Sequence, residues 1–112
     1  MRIDFLYWEE CPSHEEALTR LRTALAEEGV ADEIRVVHVG TEDAAQALAF
    51  PGSPTIRIDG RDIQTEGAGR AGRLTCRLYR LEDGRPSPLP SQEMIRRAVR
   101  AATGKSARGA VR

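Results

Sequence analysis

The sequence has few of the features that mark specialised classes of protein. Only two of its 112 residues are cysteine and five are aromatic. Two cysteines are too few for a disulfide-stapled scaffold, which argues against the small disulfide-rich secreted class. The longest apolar runs are a few residues, whereas a helix that crosses a membrane needs about 20. The N-terminus reads directly into a strand and lacks a secretory signal pattern, so we expect a cytoplasmic protein with no membrane partner.

An excess of one charge is also absent, because 17 basic and 17 acidic side chains cancel. A neutral chain has no general attraction for polyanions, so we expect no nucleic-acid partner. The two halves do differ: residues 1–50 carry four basic and eleven acidic groups, and residues 51–112 carry thirteen and six. We interpret this asymmetry as mutual neutralisation of the halves in the folded chain, the alternative being a polarised docking surface.

The length corresponds to one domain with one hydrophobic core. Hydrophobic patterning predicts strands at residues 3–8, 34–39, 53–60 and 74–81, and helices at residues 13–28, 42–49 and 92–103. Thr41 and Ser91 are the predicted N-caps of the second and third helices. The second strand is β-branched on both faces, which predicts cover on both sides. The element order is β-α-β-α-β-β-α.

The predicted domain spans residues 1–104. Within it, the Gly-rich stretch 66–72 is expected to be a mobile loop, and Pro86, Pro88 and Pro90 are expected to form an extended connector. The basic segment 105–112 has no periodicity, so we expect a disordered tail.

Two local motifs stand at junctions between predicted elements. Trp8-Glu9-Glu10-Cys11-Pro12-Ser13-His14 joins the first strand to the first helix, and Gly52-Ser53-Pro54-Thr55 opens the third strand. With the element order, these motifs resemble the thioredoxin superfamily, which carries a Cys-x-x-Cys motif and a cis-proline at the two places. The chain is also similar to small bacterial thioredoxin-like proteins. The resemblance covers about residues 2–103 and implies a thioredoxin-like α/β fold, with a central four-stranded mixed sheet flanked by helices.

The chain departs from the superfamily pattern at one decisive position. His14 stands where the second, resolving cysteine is expected, and two glutamates separate Trp8 from Cys11. The resemblance therefore implies a single-thiol (CxxH) site with Cys11 as nucleophile and His14 tuning it. Its implied substrate-binding groove consists of Trp8, Pro12, Ser13, Ser53 and Pro54.

The chemistry of Cys11 depends on where the first helix begins. With Cys11 at the N-cap and Pro12 at the first helical position, free N–H groups and the positive helix end would favour a thiolate. Alternatively, Ser13 is the N-cap and Glu16 completes a capping box, which leaves Cys11 outside the helix and less activated. We favour the first register. Nearby glutamates oppose thiolate formation in either case.

Two further residues complete the candidate site. Cys76 is the only internal candidate for a resolving thiol, but its predicted strand face, shared with Leu74 and Leu78, favours a buried structural thiol. The resemblance implies that Pro54 is cis and that the Ser53 backbone is open to pairing with a substrate chain as an added strand. The alternative is an ordinary proline at the start of a strand.

The leading hypothesis is a monothiol–disulfide oxidoreductase that acts on a protein or low-molecular-weight thiol or disulfide. The alternative is a redox-inactive thioredoxin-like binding module. We expect no cofactor. A zinc site formed by Cys11, His14, His38 and Cys76 matches no standard ligand spacing, and His38 lies in a strand expected to be internal, so no metal is expected either.

Overall fold

The computed structural model describes residues 1–64 and 72–104. Its elements are β1 (Ile3–Tyr7), α1 (His14–Glu27), β2 (Ile34–His38), α2 (Glu42–Ala47), β3 (Thr55–Ile58), β4 (Arg61–Asp62), β5 (Tyr79–Arg80), β6 (Pro86–Ser87) and α3 (Gln92–Thr103). All three predicted helices and the first three predicted strands are confirmed. The predicted loop at 66–72 falls outside the described residues except for its last residue, and the predicted tail at 105–112 falls entirely outside them.

The sheet has the strand order β2-β1-β3-β4, with β1 parallel to β2 and antiparallel to β3. This confirms an α/β chain with a four-stranded mixed sheet. Phe5 of β1 belongs to a core cluster with residues of α1 and α3, whereas its neighbour Leu6 packs with Ala45 of α2. Because successive strand side chains point to opposite faces, α1 and α3 cover one face of the sheet and α2 covers the other.

An ion cluster joins the first and third helices. The carboxylate of Glu28, at the end of α1, is buried and lies 3.0 Å from Nε of Arg100 and 3.1 Å from Nε of Arg96 on α3. Here the acidic first half of the chain meets the basic second half, which agrees with the neutralisation inferred from the charge distribution.

The second strand is covered on both faces only in part. Ile34 packs against one core cluster and Val37 against the other, whereas Arg35, Val36 and His38 are exposed. The expectation that His38 lies in an internal strand is wrong, because β2 is an edge strand of the sheet. β-branched residues stabilise any strand, so their pattern did not distinguish an edge position from an internal one.

The predicted fourth strand at 74–81 is also wrong. A tight turn at Asp59 and Gly60, both at positive φ, returns the chain at once to form β4, which pairs with β3. Residues 79 and 80 form β5, which pairs instead with β6 in a separate two-stranded sheet. The proline connector is therefore partly strand, because Pro86 lies in β6.

Candidate functional site

Cys11 lies in the turn that leads from β1 to α1. Its backbone N–H donates to the carbonyl of Trp8 at 3.0 Å, and α1 begins at His14 with Ser13 as N-cap. The favoured register, with Cys11 at the N-cap, is therefore wrong. The alternative register has the right N-cap residue, but Ser13 makes no side-chain cap hydrogen bond, because its backbone is already helical rather than extended. Cys11 thus stands two residues before the N-cap.

Ser53 holds this turn against the start of β3. Its Oγ accepts a hydrogen bond from the Trp8 backbone N–H at 2.9 Å, and its carbonyl oxygen lies 3.4 Å from Sγ of Cys11, which donates to it. The Ser53–Pro54 peptide bond is cis, as the resemblance implies, and both residues are buried. The two sequence motifs therefore meet at one point, with the Cys11 sulfur against the peptide bond that precedes Pro54.

The Ser53 backbone is not open to an added strand, contrary to the expectation. Its N–H donates to the carbonyl of Thr75 at 2.8 Å, and its carbonyl accepts from the N–H of Arg77 at 3.1 Å. Ser53 and Cys76 thereby form an isolated parallel bridge. We call residues 75–77 the strap. The strap occupies the backbone groups that a substrate chain was expected to use.

Cys76 is exposed, so the predicted buried structural thiol is wrong. Leu78, on the same predicted face, is 60% exposed, whereas the alternate residues Arg77 and Tyr79 are 5% and 0% exposed. Alternation along an extended segment fixes which residues face inward together. Arg77 and Tyr79 face inward. The only aromatic residue of the segment 74–81, Tyr79, was the feature of the sequence that could have indicated this face.

Arg77 and Tyr79, which sequence reasoning missed, fasten the strap to the sheet. Nη1 of Arg77 lies 2.7 Å from a carboxylate oxygen of Asp62 on β4, and its guanidinium stacks 4.4 Å from the centre of the Tyr79 ring. The Tyr79 hydroxyl donates to the carbonyl of Pro54 at 2.6 Å, and burial raises the pKa of this hydroxyl. The position of Cys76 therefore depends on two buried polar side chains beside it.

The strap brings the two cysteines of the chain together. The side chain of Cys76 interacts with that of Cys11, a residue that is 1% exposed. Desolvation first, and then the neighbouring Cys11 thiol, raise the pKa of the Cys76 thiol to about 11. In the reduced protein Cys76 is thus a protonated, accessible thiol in contact with a buried one.

His14 stacks on Tyr7, with ring centroids 4.6 Å apart. Tyr7 also contacts the ring of His38, whose Nε2 lies 3.3 Å from Glu9. Among the hydrogen bonds of the described residues, none joins His14 to Cys11. Any influence of His14 on the sulfur acts through its charge and position in the first turn of α1, not through a direct hydrogen bond.

The remaining predicted groove residues surround this turn. Trp8 is half-buried against the smaller core cluster, Pro12 is exposed and Ser13 is half-buried. Within residues 1–64 and 72–104, no three or more histidine, cysteine or acidic side chains are grouped so as to hold a metal ion.

Comparison of the chain with known protein families, with curated proteins and with solved structures finds no match. In the part of the chain that the structure describes, no helix combines the length and the apolar character that a bilayer crossing requires.

Proposed function

We propose that this chain is a thioredoxin-like thiol–disulfide exchange protein in which Cys11 is the nucleophile. The arrangement of its elements supports a thioredoxin-like fold: a β-α-β half precedes the β3–β4 hairpin and a C-terminal helix, and β1 lies between a parallel and an antiparallel neighbour. For the location we propose the cytoplasm, a reducing compartment in which free cysteines persist as thiols.

A single observation carries the proposal. The Cys11 sulfur lies 3.4 Å from the carbonyl oxygen of Ser53, the residue that precedes the cis proline. Resemblance to the thioredoxin superfamily assigns this place to the reactive sulfur, and the sequence motifs alone did not require the two segments to meet.

The proposed reaction is a two-step exchange. The Cys11 thiolate attacks one sulfur of a disulfide RSSR, so that a Cys11–S–S–R bond forms, the S–S bond of RSSR breaks and a thiolate RS⁻ leaves. A second thiolate then attacks the mixed disulfide and restores Cys11. The protein is unchanged over the cycle, and one external disulfide is exchanged for another without a cofactor. His14 has the proposed role of favouring the Cys11 thiolate through its charge.

The rate of Cys11 alkylation as a function of pH tests the proposal. Because Cys76 is exposed and would react as well, the measurement uses a Cys76→Ser variant, with and without His14→Ala. An activated thiol gives a profile whose midpoint lies well below about 8.5. A midpoint at or above that value, unaffected by His14→Ala, contradicts the proposal, and a low midpoint unaffected by His14→Ala removes only the role of His14.

The burial of Cys11 favours one alternative, a redox-inactive binding module that retains the fold. Cys11 is 1% exposed as a residue, and on this alternative a reagent reaches its sulfur only when the surrounding chain opens. Cys11 alkylation in the folded chain is then slower than in the urea-unfolded chain, because only the open fraction of molecules reacts. A folded chain that is alkylated at least as fast as the unfolded one excludes the alternative.

A further inference from the structure

We infer that Cys76 is the redox partner of Cys11 and closes a reversible intramolecular disulfide with it across the strap. The inference rests on the proposed reactivity of Cys11 and replaces its external resolving thiol with one from the same chain. It assigns a role to a residue that lies outside the Cys-Pro-Ser-His motif, 65 positions further along the chain.

The first observation is that both cysteines are fixed to the same residue. Sγ of Cys11 donates to the Ser53 carbonyl, and the backbone on either side of Cys76 is hydrogen-bonded to the N–H and carbonyl of Ser53. Two cysteines held at one backbone site by separate bonds have little freedom to move apart. Their side chains accordingly interact in the reduced chain.

The second observation is the orientation of the strap. Arg77 is buried and paired with Asp62, and Tyr79 is buried and hydrogen-bonded to Pro54. These contacts involve neither sulfur, and they determine which side chains of the segment point inward. Cys76 keeps an exposed side and a side that touches Cys11. It is thus placed both to meet a reagent and to reach the buried sulfur.

A third argument concerns the protonation of Cys76. Burial, the main cause of its raised pKa, persists when Cys11 is in a mixed disulfide, whereas the interaction with the Cys11 thiol does not. The pKa of Cys76 is therefore lower in that intermediate, and a larger fraction of Cys76 is thiolate at the step in which it attacks.

The complete reaction balances as follows. The Cys11 thiolate attacks RSSR and releases RS⁻. The Cys76 thiol then gives its proton to solvent, the resulting thiolate attacks the Cys11 sulfur of Cys11–S–S–R, and the second RS⁻ leaves. The Cys11–Cys76 bond forms and the bond to R breaks. The protein dithiol is oxidised by two electrons, and RSSR is reduced to two RSH.

The test treats the reduced full-length chain with glutathione disulfide, quenches with acid, alkylates the remaining thiols and maps disulfides by mass spectrometry without reduction. The matched variants are Cys76→Ser and the double variant Thr75→Cys/Cys76→Ser, which moves the thiol one residue along the strap and so turns it to the other face. Circular dichroism verifies that each variant is folded.

We expect the wild-type chain to lose two hydrogens, carry no glutathione and yield a peptide in which Cys11 is joined to Cys76. Both variants are expected to retain a glutathione adduct on Cys11. A persistent Cys11 adduct in the wild type, with Cys76 alkylated, overturns this inference and leaves the proposed monothiol reaction intact. Adducts on Cys76 alone, with Cys11 unmodified, overturn both.

Discussion

Replacing Arg77 with methionine removes the buried cation that fastens the strap to the sheet. The Arg77 side chain is 3% exposed and its Asp62 partner 15% exposed, at a separation of 2.7 Å. Arg77 also donates to the carbonyl of Gln64 and to Oγ1 of Thr55. Methionine retains most of the aliphatic stem, so the variant loses these polar contacts while it fills most of the space.

The expected magnitude follows from the burial of the pair. Breaking a buried ion pair by removing one member costs about 3–5 kcal/mol, because the other charge remains without compensation. Asp62 retains some exposure to solvent, which places the Arg77→Met effect near the lower limit, about 3 kcal/mol. For a domain of about 100 residues, such a loss lowers Tm by roughly 10–25 °C.

The assay is urea denaturation followed by circular dichroism, with the free energy of unfolding taken at constant m-value. Arg73→Met, an exposed arginine just before the strap, is the matched control and is expected to change the free energy by less than about 0.5 kcal/mol. Combining Arg77→Met with Asp62→Leu should cost at least about 1 kcal/mol less than the sum of the single changes. An Arg77→Met effect no larger than that of the control, or strict additivity of the pair, would refute the reasoning.

Three further predictions concern the neighbourhood of the strap and the helix interface. Gly52 has φ +128°, and an added Cβ would lie 2.7 Å from Cβ of Arg77, so Gly52→Ala should destabilise the fold by about 1–3 kcal/mol in the same urea assay. The hydrogen bonds from the arginines of α3 hold the pKa of Glu28 below its ordinary value of 4.5. The ionised Glu28 carboxylate therefore stabilises the fold fully above pH 4.5, and this stabilisation is lost as the pH falls through the lowered pKa. Glu28→Gln should therefore be less stable at neutral pH and show a flatter loss of stability on acidification. With its pKa near 11, Cys76 should be alkylated about tenfold faster per pH unit between about pH 8 and 10, and Cys11→Ser should shift this profile to lower pH.

Each of these predictions has a contradicting result. Gly52→Ala with wild-type stability would mean that Arg77 does not approach Gly52 as closely as described. If Glu28→Gln loses stability on acidification in the same way as the wild type, the ion cluster does not contribute to acid unfolding. If the pH midpoint of Cys76 alkylation is the same in the wild type and in Cys11→Ser, the two thiols do not interact.

The elements that build the core could be predicted because their patterns are local. Leu21 and Leu25 recur at helical spacing, Thr41 and Ser91 are cap residues whose side chains accept the expected backbone hydrogen bonds, and Ile56 alternates with polar neighbours. The placement of β2 at the edge was not accessible in this way, because the number of neighbouring strands is a property of the sheet and not of the strand.

The strap was misread for a different reason. Its inward face carries an arginine, and a buried arginine becomes favourable only through partners far along the chain, such as Asp62, 15 residues away. The apolar Leu74 and Leu78 therefore suggested the wrong face, and with it a buried Cys76. The occupation of the Ser53 backbone by the strap was invisible for a related reason, since main-chain hydrogen bonds leave no signature in side-chain pattern.

The candidate site itself was partly predictable. The resemblance to thioredoxins led to Cys11 and Pro54, and the two segments do meet, at Ser53. Cys76 was named as the only internal candidate for a resolving thiol, but it was expected to be buried, whereas the structure exposes it.

The central claim, that Cys11 is a reactive thiol in the folded protein, is tested most directly by the rate of its mixed-disulfide formation with glutathione disulfide. The rate is measured by mass spectrometry in the Cys76→Ser variant, once in buffer and once fully unfolded in urea. The account predicts that the folded chain reacts at least as fast as the unfolded one at neutral pH. A folded chain that forms the adduct only at its rate of unfolding would identify Cys11 as a buried structural thiol and contradict the account.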